Sequence, residues 1–189
     1  NSSTYGNLAM GRAQIEEFLA ALSANGLASK TLWQTEAGAG FTAVNQVHHP
    51  RRARVKILHT LMWEQYGIPR ERNSYWYDRS HGFWTFPTWW QQEDGSLTAD
   101  ATIHRVLAEE TYGMTHQARL PFGKLGDAIF LGSVYSGSTG SRVVLIAASH
   151  MPGATATLSV TGASGSLTVV DAFGNETSAA ITSGRVTVP

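Results

Sequence analysis

The chain contains no cysteine among its 189 residues. It therefore forms no disulfide bond, holds no metal through thiolates and has no cysteine nucleophile. The chain also has a formal net charge of zero, because the charges of 14 basic and 14 acidic residues cancel. A neutral chain gives no indication of nucleic acid or an anionic membrane surface as a partner. No apolar run reaches the roughly 20 residues that cross a bilayer, so no membrane span is predicted.

The histidines do not form a metal-binding pattern. There are seven of them, and His48 and His49 are adjacent, so on a regular strand they would point to opposite sides. The chain has neither the His-Glu-x-x-His nor the His-x-His spacing that zinc sites use. The sequence therefore predicts no metal site and no cofactor.

The first part of the chain, up to about Gly113, combines helical and strand patterns. Apolar residues at helical spacing predict helices within residues 10–24, within residues 50–66 and over about residues 100–112. Gly26, and Gly67 with Pro69 beyond it, are placed to end the first two helices. The positions expected to face the core are Ile15, Phe18, Leu19 and Leu22, then Val55, Leu58, Leu61, Met62 and Gln65, and finally Ile103, Val106 and Leu107.

Strands are predicted between these helices and again in the last third of the chain. Residues 30–36 and 73–78 have the composition of short strands, and the order helix, strand, loop, helix is typical of α/β folds. After Pro121 the pattern changes to strands of 5 to 8 residues separated by Gly, Ser and Asn turns. That spacing is typical of an antiparallel β-sandwich, which we expect to pack separately.

Glu36 is the strongest candidate for a catalytic residue. It ends the predicted strand 30–36 and precedes a glycine-rich loop, and in α/β barrels chemistry collects where strands end in loops. Strand alternation places Gln34 on the same face as Glu36. The alternative is that Glu36 only caps the following loop or pairs with an arginine such as Arg51.

Aromatic and polar residues downstream have the composition of a sugar site. Alternation in residues 73–78 puts Trp76 and Asp78 on one face, and His81 and Trp84 follow in the next loop. Sugars present apolar C–H faces ringed by hydroxyl groups, so their sites combine flat aromatic walls with a few polar acceptors. The open alternatives are that the tryptophans pack between the two parts of the chain and that His81 is an ordinary loop residue.

The segment 32–38 resembles the seventh strand of the clan A retaining glycoside hydrolases, whose (β/α)8 barrels carry a Thr-Glu-x-Gly-like signature with the glutamate as nucleophile. In that family Trp76 corresponds to a tryptophan beneath the reacting sugar, and residues 169–175 resemble the small C-terminal β-sandwich of many members. The resemblance implies the last strands and helices of a barrel over residues 1–118 and a β-sandwich over residues 119–189. It also implies a secreted enzyme with a carbohydrate substrate.

One departure from the family concerns the second catalytic carboxylate. The family carries its general acid/base in an Asn-Glu pair on strand four, whereas the Asn-Glu pair of this chain is Asn175-Glu176, in the predicted β-sandwich. The resemblance therefore implies that an upstream segment or a separate chain completes the barrel and supplies the acid/base. Asp78 is the alternative within this chain. A rival hypothesis is a non-catalytic carbohydrate-binding or structural module, in which Glu36 is dispensable.

Overall fold

The computed structural model describes residues 3–33, 57, 60–69, 96–97, 99–121, 129–147 and 155–188. In these parts helix α1 is Ser3–Ala24, α2 covers residues 60–64 with Ile57 also helical, and α3 is Ala99–Glu110. The strands are β1 Thr115–Arg119, β2 Ile129–Gly137, β3 Gly140–Ala147, β4 Ala156–Ser159, β5 Ser166–Val170, β6 Glu176–Ala180 and β7 Arg185–Val188. The described chain is thus a mixture of helices and antiparallel strands.

Among the described helices none is long and apolar enough to span a membrane.

The first two helices end in the same way. Gly26 and Gly67 have φ angles of 71° and 80°, which a residue with a Cβ adopts only with strain. Leu27 N–H donates to Leu22 O at 2.8 Å and Ile68 N–H donates to Trp63 O at 3.1 Å, which is the closing bond of a Schellman motif. These bonds satisfy carbonyl groups that the end of a helix leaves without partners. The predicted helix ends at both glycines are confirmed.

Strands β1, β2 and β3 form an antiparallel sheet in that order. Gly137 pairs with Gly140, so β2 and β3 are joined by a hairpin with two residues in its loop. Between β1 and β2 the register shifts after His116, so that Gln117 is an extra residue on β1. This β-bulge changes which side chains of β1 face the helices.

The last four strands form two separate two-stranded antiparallel sheets. Strand β4 pairs with β7, and β5 pairs with β6. Thr182 and Arg185 exchange backbone hydrogen bonds, so the chain reverses in a tight turn between β6 and β7. The tip between β5 and β6 reaches the helical part, because a Cβ added to Gly174 would lie 3.4 Å from Val106 Cγ2.

The hydrophobic core lies between the helices and the β1–β2–β3 sheet. Ile15 of α1, Leu61 and Met62 of α2 and Leu107 of α3 pack with two β2 residues. Those two are Leu131 and Tyr135, which are 0% and 1% exposed. Helices α1 and α2 approach closely, since a Cβ on Gly11 would lie 3.1 Å from Met62 Cε. One core therefore joins residues on both sides of the predicted boundary at residue 119, and that boundary itself stays a prediction.

Several details differ from the sequence-based expectations. Helix α1 begins at Ser3, earlier than predicted, and Phe18 is 49% exposed although it was expected to face the core. Its helical neighbours Ile15 and Leu19 take the contacts with α2 and the sheet. Strand β1 was not predicted, because its five residues alternate little in polarity. The β-sandwich and the barrel stay predictions.

The predicted strand 30–36 is described only at its beginning. Residues 30–33 are not in a strand, and Trp33 is 64% exposed. A strand needs a neighbour for its N–H and C=O groups, and no described strand pairs with these residues. The expectation of a strand is therefore wrong for residues 30–33. Its remainder, and all of the predicted strand 73–78, lie outside the described residues.

Candidate functional site

The site predicted from the sequence lies outside the described residues. This holds for the candidate nucleophile and for all five candidate substrate contacts, which are Glu36, Gln34, Trp76, Asp78, His81 and Trp84. Their roles therefore stay predictions. Along the chain Gln34 and Glu36 precede α2, and the other four candidates follow it.

The described residues contain a buried cluster of polar side chains where α2 meets β1 and β2. Five residues form it, and we call them the polar junction: Glu64, Gln65, His116, Ser133 and Tyr135. Within it the Tyr135 hydroxyl donates to Glu64 Oε2. Gln65 Nε2 donates to Ser133 Oγ at 2.7 Å and to Gly132 O at 3.0 Å. The end of α2 is thus joined to the middle of β2 by three hydrogen bonds.

Local sequence explains why these side chains meet. In α2, Glu64 and Gln65 lie three and four residues after the buried Leu61, so they share its side of the helix. In β2, Ser133 alternates with the buried Leu131 and Tyr135, so all three lie on the face that the helices cover. The Tyr135, Glu64 and Ser133 side chains and Gln65 Nε2 have hydrogen-bond partners within the junction, whereas Gln65 Oε1 is buried without one among the described residues.

The β-bulge at Gln117 adds basic residues of β1 to this face. His116 pairs with Tyr135 and Arg119 pairs with Ser133, and cross-strand partners share a face. In a regular strand residues 116 and 119 would lie on opposite faces, because side chains alternate. The extra residue therefore brings both basic side chains toward the helices. The rings of His116 and Tyr135 meet edge to face, with centroids 5.5 Å apart and planes at 76°.

The junction lowers the basicity of His116. Burial holds the pKa of the imidazole below its ordinary value of 6.5, while the carboxyl group of Glu64 and a hydrogen bond to the Ala118 backbone act in the opposite direction. Its Nε2 atom is buried and has no hydrogen-bond partner in the part of the chain that the structure describes. These conditions favour the neutral imidazole.

A second polar contact lies beside the junction, between α1 and the end of α2. The Tyr66 hydroxyl donates to Glu16 Oε1 at 2.5 Å. Burial raises the pKa of Tyr66, as does the carboxyl group of Glu16, and the positive charges of Arg119 and Arg12 oppose this shift. Arg12, on α1, is 8% exposed. The Tyr66–Glu16 contact is thus influenced by positive charges on both α1 and β1.

The junction has acid–base groups but lacks access for a substrate. Tyr135, Ser133 and Glu64 are 1%, 0% and 7% exposed. The Tyr135 hydroxyl donates to Glu64, and Ser133 Oγ accepts from Gln65 Nε2. A catalytic acid or base must come within hydrogen-bond reach of a substrate atom. The junction therefore joins elements of the fold. Among the described residues no group of three or more histidine, aspartate or glutamate side chains could hold a metal ion.

Sequence analysis did not identify the junction, although one signal was present. Gln65 falls in the apolar stripe of the second predicted helix, where a polar side chain requires a buried partner. The partner, Ser133, is 68 residues away, and no local pattern connects the two positions. The bulge that orients His116 depends on the pairing of β1 with β2, which a single strand does not specify.

Comparison with known proteins assigns this chain to no family. No protein-family model, no curated protein and no solved structure matches this chain. A functional proposal therefore depends on the chain's own residues.

Proposed function

We propose that this chain is the C-terminal part of a retaining glycoside hydrolase and that Glu36 is its nucleophile. The observation that carries the proposal is the segment Thr35-Glu36-Ala37-Gly38 between two helical patterns. Both patterns have helical counterparts in the structure, α1 ending at Ala24 and α2 at residues 60–64. A carboxylate in such a connection is placed where α/β enzymes keep their catalytic groups.

The reaction would proceed by double displacement. Glu36 attacks the anomeric carbon and forms a glycosyl-enzyme, while a second carboxyl group about 5–5.5 Å away protonates the departing oxygen and later activates water. The nucleophile has to stay ionised, and the acid/base has to keep its proton at the working pH. The acid/base is supplied by a segment outside residues 1–189, with Asp78 as the alternative.

The substrate is a glycan or glycoside bound against aromatic side chains. Trp76 and Trp84 offer flat apolar surfaces for the C–H face of a sugar ring. Gln34, Asp78 and His81 offer hydrogen bonds to its hydroxyl groups. A secreted location accords with this substrate class, because extracellular glycans are available to a secreted enzyme.

The described elements support the proposal at a coarse level. The helices α1, α2 and α3 follow one another along the chain with connections that are long enough to hold strands, as a barrel requires. The antiparallel strands β2 to β7 occupy the region in which the family carries its β-sandwich.

The test is covalent labelling of the natural protein that contains residues 1–189. A 2-deoxy-2-fluoro glycoside with a good leaving group should trap the glycosyl-enzyme, because the fluorine destabilises the oxocarbenium-like transition state of both steps. Peptide mapping by mass spectrometry should find the label in the peptide that contains Thr35-Glu36-Ala37. Label on Asp78, or on no residue of this chain, would contradict the assignment.

Matched variants separate catalysis from folding. Glu36→Gln preserves the shape and removes the charge, so turnover should be lost while the unfolding curve stays near that of the wild type. Glu17→Gln, at an exposed position of α1, is the control and should keep full turnover. Trp76→Ala should weaken sugar binding by the loss of a stacking surface, whereas Trp33→Ala should not. Sugar binding without turnover in the wild type would favour the non-catalytic module.

A further inference from the structure

His116 connects strand β1 to the helical part of the molecule. Its ring lies edge to face against Tyr135, and the hydroxyl of Tyr135 donates to Glu64 at the end of α2. The imidazole therefore contacts the side chain that holds α2 against β2. A change in the charge of His116 acts on this interface directly.

The surroundings accept the neutral ring better than the charged one. Nε2 is buried with no hydrogen-bond partner in the described part of the chain, and protonation would add an N–H donor and a positive charge at that atom. Burying a donor without an acceptor costs free energy, and burying a charge costs more.

Titratable groups of the neighbouring elements lie at the junction and at the contact beside it. Glu64, at the end of α2, and Tyr135 of β2 interact with His116 itself. Arg12 and Glu16 of α1 and Arg119 of β1 act on Tyr66 in the neighbouring contact. The carboxyl group of Glu64 attracts a protonated His116, but burial outweighs this attraction, so the pKa of the imidazole stays below 6.5.

We propose that His116 makes the packing of α2 on the β1–β2 hairpin sensitive to pH. Neutral His116 fits the polar junction, and its protonation weakens the contact between α2 and the sheet. The unfolded chain binds the proton more readily than the folded chain, so the free energy of unfolding falls as the pH falls below 6.5 and levels off once the folded form is protonated too. This switch is independent of the glycosidase proposal.

The experiment is urea unfolding of the wild type and of His116→Gln between about pH 8 and about pH 5, the range in which histidine titrates. The midpoint of the wild type should fall across this range, and that of the variant should fall by less. The protection factors of the amides in residues 60–69, which compare the observed exchange rate with the intrinsic rate at the same pH, should fall at the lower pH. They should fall more than those of the β4–β7 ladder, which lies outside the junction. His104→Gln, in α3, is the matched control and should follow the wild type.

A measurement on the wild type keeps the test valid even where a variant folds poorly. NMR titration of the His116 imidazole should give a pKa below 6.5. A pKa at or above 6.5 would overturn the proposal, as would a His116→Gln variant whose midpoint falls with pH as steeply as that of the wild type.

Discussion

At the scale of single residues, the buried polar groups show how the two parts of the chain specify each other. Tyr135 is 1% exposed, and its hydroxyl donates a hydrogen bond to Glu64, which is 7% exposed. Either side chain alone would be costly in a core, because a buried polar atom loses its hydration. Together they restrict α2 to the arrangement in which the two groups meet.

Replacing Tyr135 by phenylalanine tests this pairing. Tyr135→Phe keeps the ring in the core and removes the donor to Glu64, so the free energy of unfolding should fall by about 1–3 kcal/mol. Urea unfolding at neutral pH measures the loss. Tyr112→Phe is the control, because Tyr112 is 87% exposed and its change should lie within about 0.5 kcal/mol. Equal effects of the two substitutions would contradict the importance of the buried hydroxyl.

At the scale of elements, the ends of the helices are specified locally. Gly67 follows α2 with φ of 80°, and nothing lies within 4 Å of the position where a Cβ would be added. A substitution there is thus a test of backbone conformation alone. The same holds for Gly26 after α1.

Gly67→Ala should lower the free energy of unfolding by about 1–2 kcal/mol, since a side chain is strained in the left-handed region. Gly67→Asn is the matched variant and should recover part of the loss, because asparagine tolerates this conformation. Thermal or urea unfolding of the three proteins checks the order. An alanine variant as stable as the wild type would show that the left-handed cap is not required.

The turn between β5 and β6 is specified by its own side chains. Asp171 Oδ1 accepts the N–H groups of Phe173 and Asn175, and Asp171 Oδ2 accepts Asn175 Nδ2 at 2.8 Å. The side-chain bond from Asn175 is the main cause that lowers the pKa of Asp171 below 3.8, and the backbone bonds add to it. The turn therefore contributes stability above pH 3.8 that is lost as the pH falls through the lower pKa of the folded state.

Asn175→Ala should raise the pKa of Asp171 toward 3.8, since it removes the largest cause of the shift. Carboxyl NMR titration measures it. Asn25→Ala is a suitable control, because Asn25 Nδ2 donates to Ala21 O in α1 and not to this turn. A pKa of Asp171 at or above 3.8 in the wild type would contradict the turn geometry.

At the scale of the whole molecule, the core connects the helices to the first sheet. Leu131 and Tyr135 of β2 are covered by α1, α2 and α3, while the sequence predicts a separate β-sandwich over residues 119–189. The contacts and the predicted boundary lead to opposite expectations for an isolated fragment.

From the contacts we expect the fragment 119–189 to fold incompletely. It loses the helices and nearly all of β1, so Leu131 and Tyr135 would face water. The fragment should bind a hydrophobic dye and unfold without a cooperative transition, in contrast to the natural protein that contains residues 1–189. A cooperative transition without dye binding would instead support the predicted independent sandwich.

Elements whose causes are local can be predicted from the amino-acid sequence. The helices, their glycine ends and the strands from β2 onward follow from apolar periodicity and from residues that favour turns, and these act within a few positions along the chain. The candidate site around Glu36 is likewise a sequence prediction, and it stays one because its residues lie outside the described part.

Which elements contact each other depends on the fold and does not follow from local patterns. The exposure of Phe18, the unpredicted strand β1 and the polar junction all depend on pairings between distant positions, such as the 68 residues between Gln65 and Ser133. A local pattern states that a side chain is polar or apolar, but not which partner removes it from water. The bulge at Gln117 shows the physical reason, since a shift of one residue in register changes the face of every side chain beyond it.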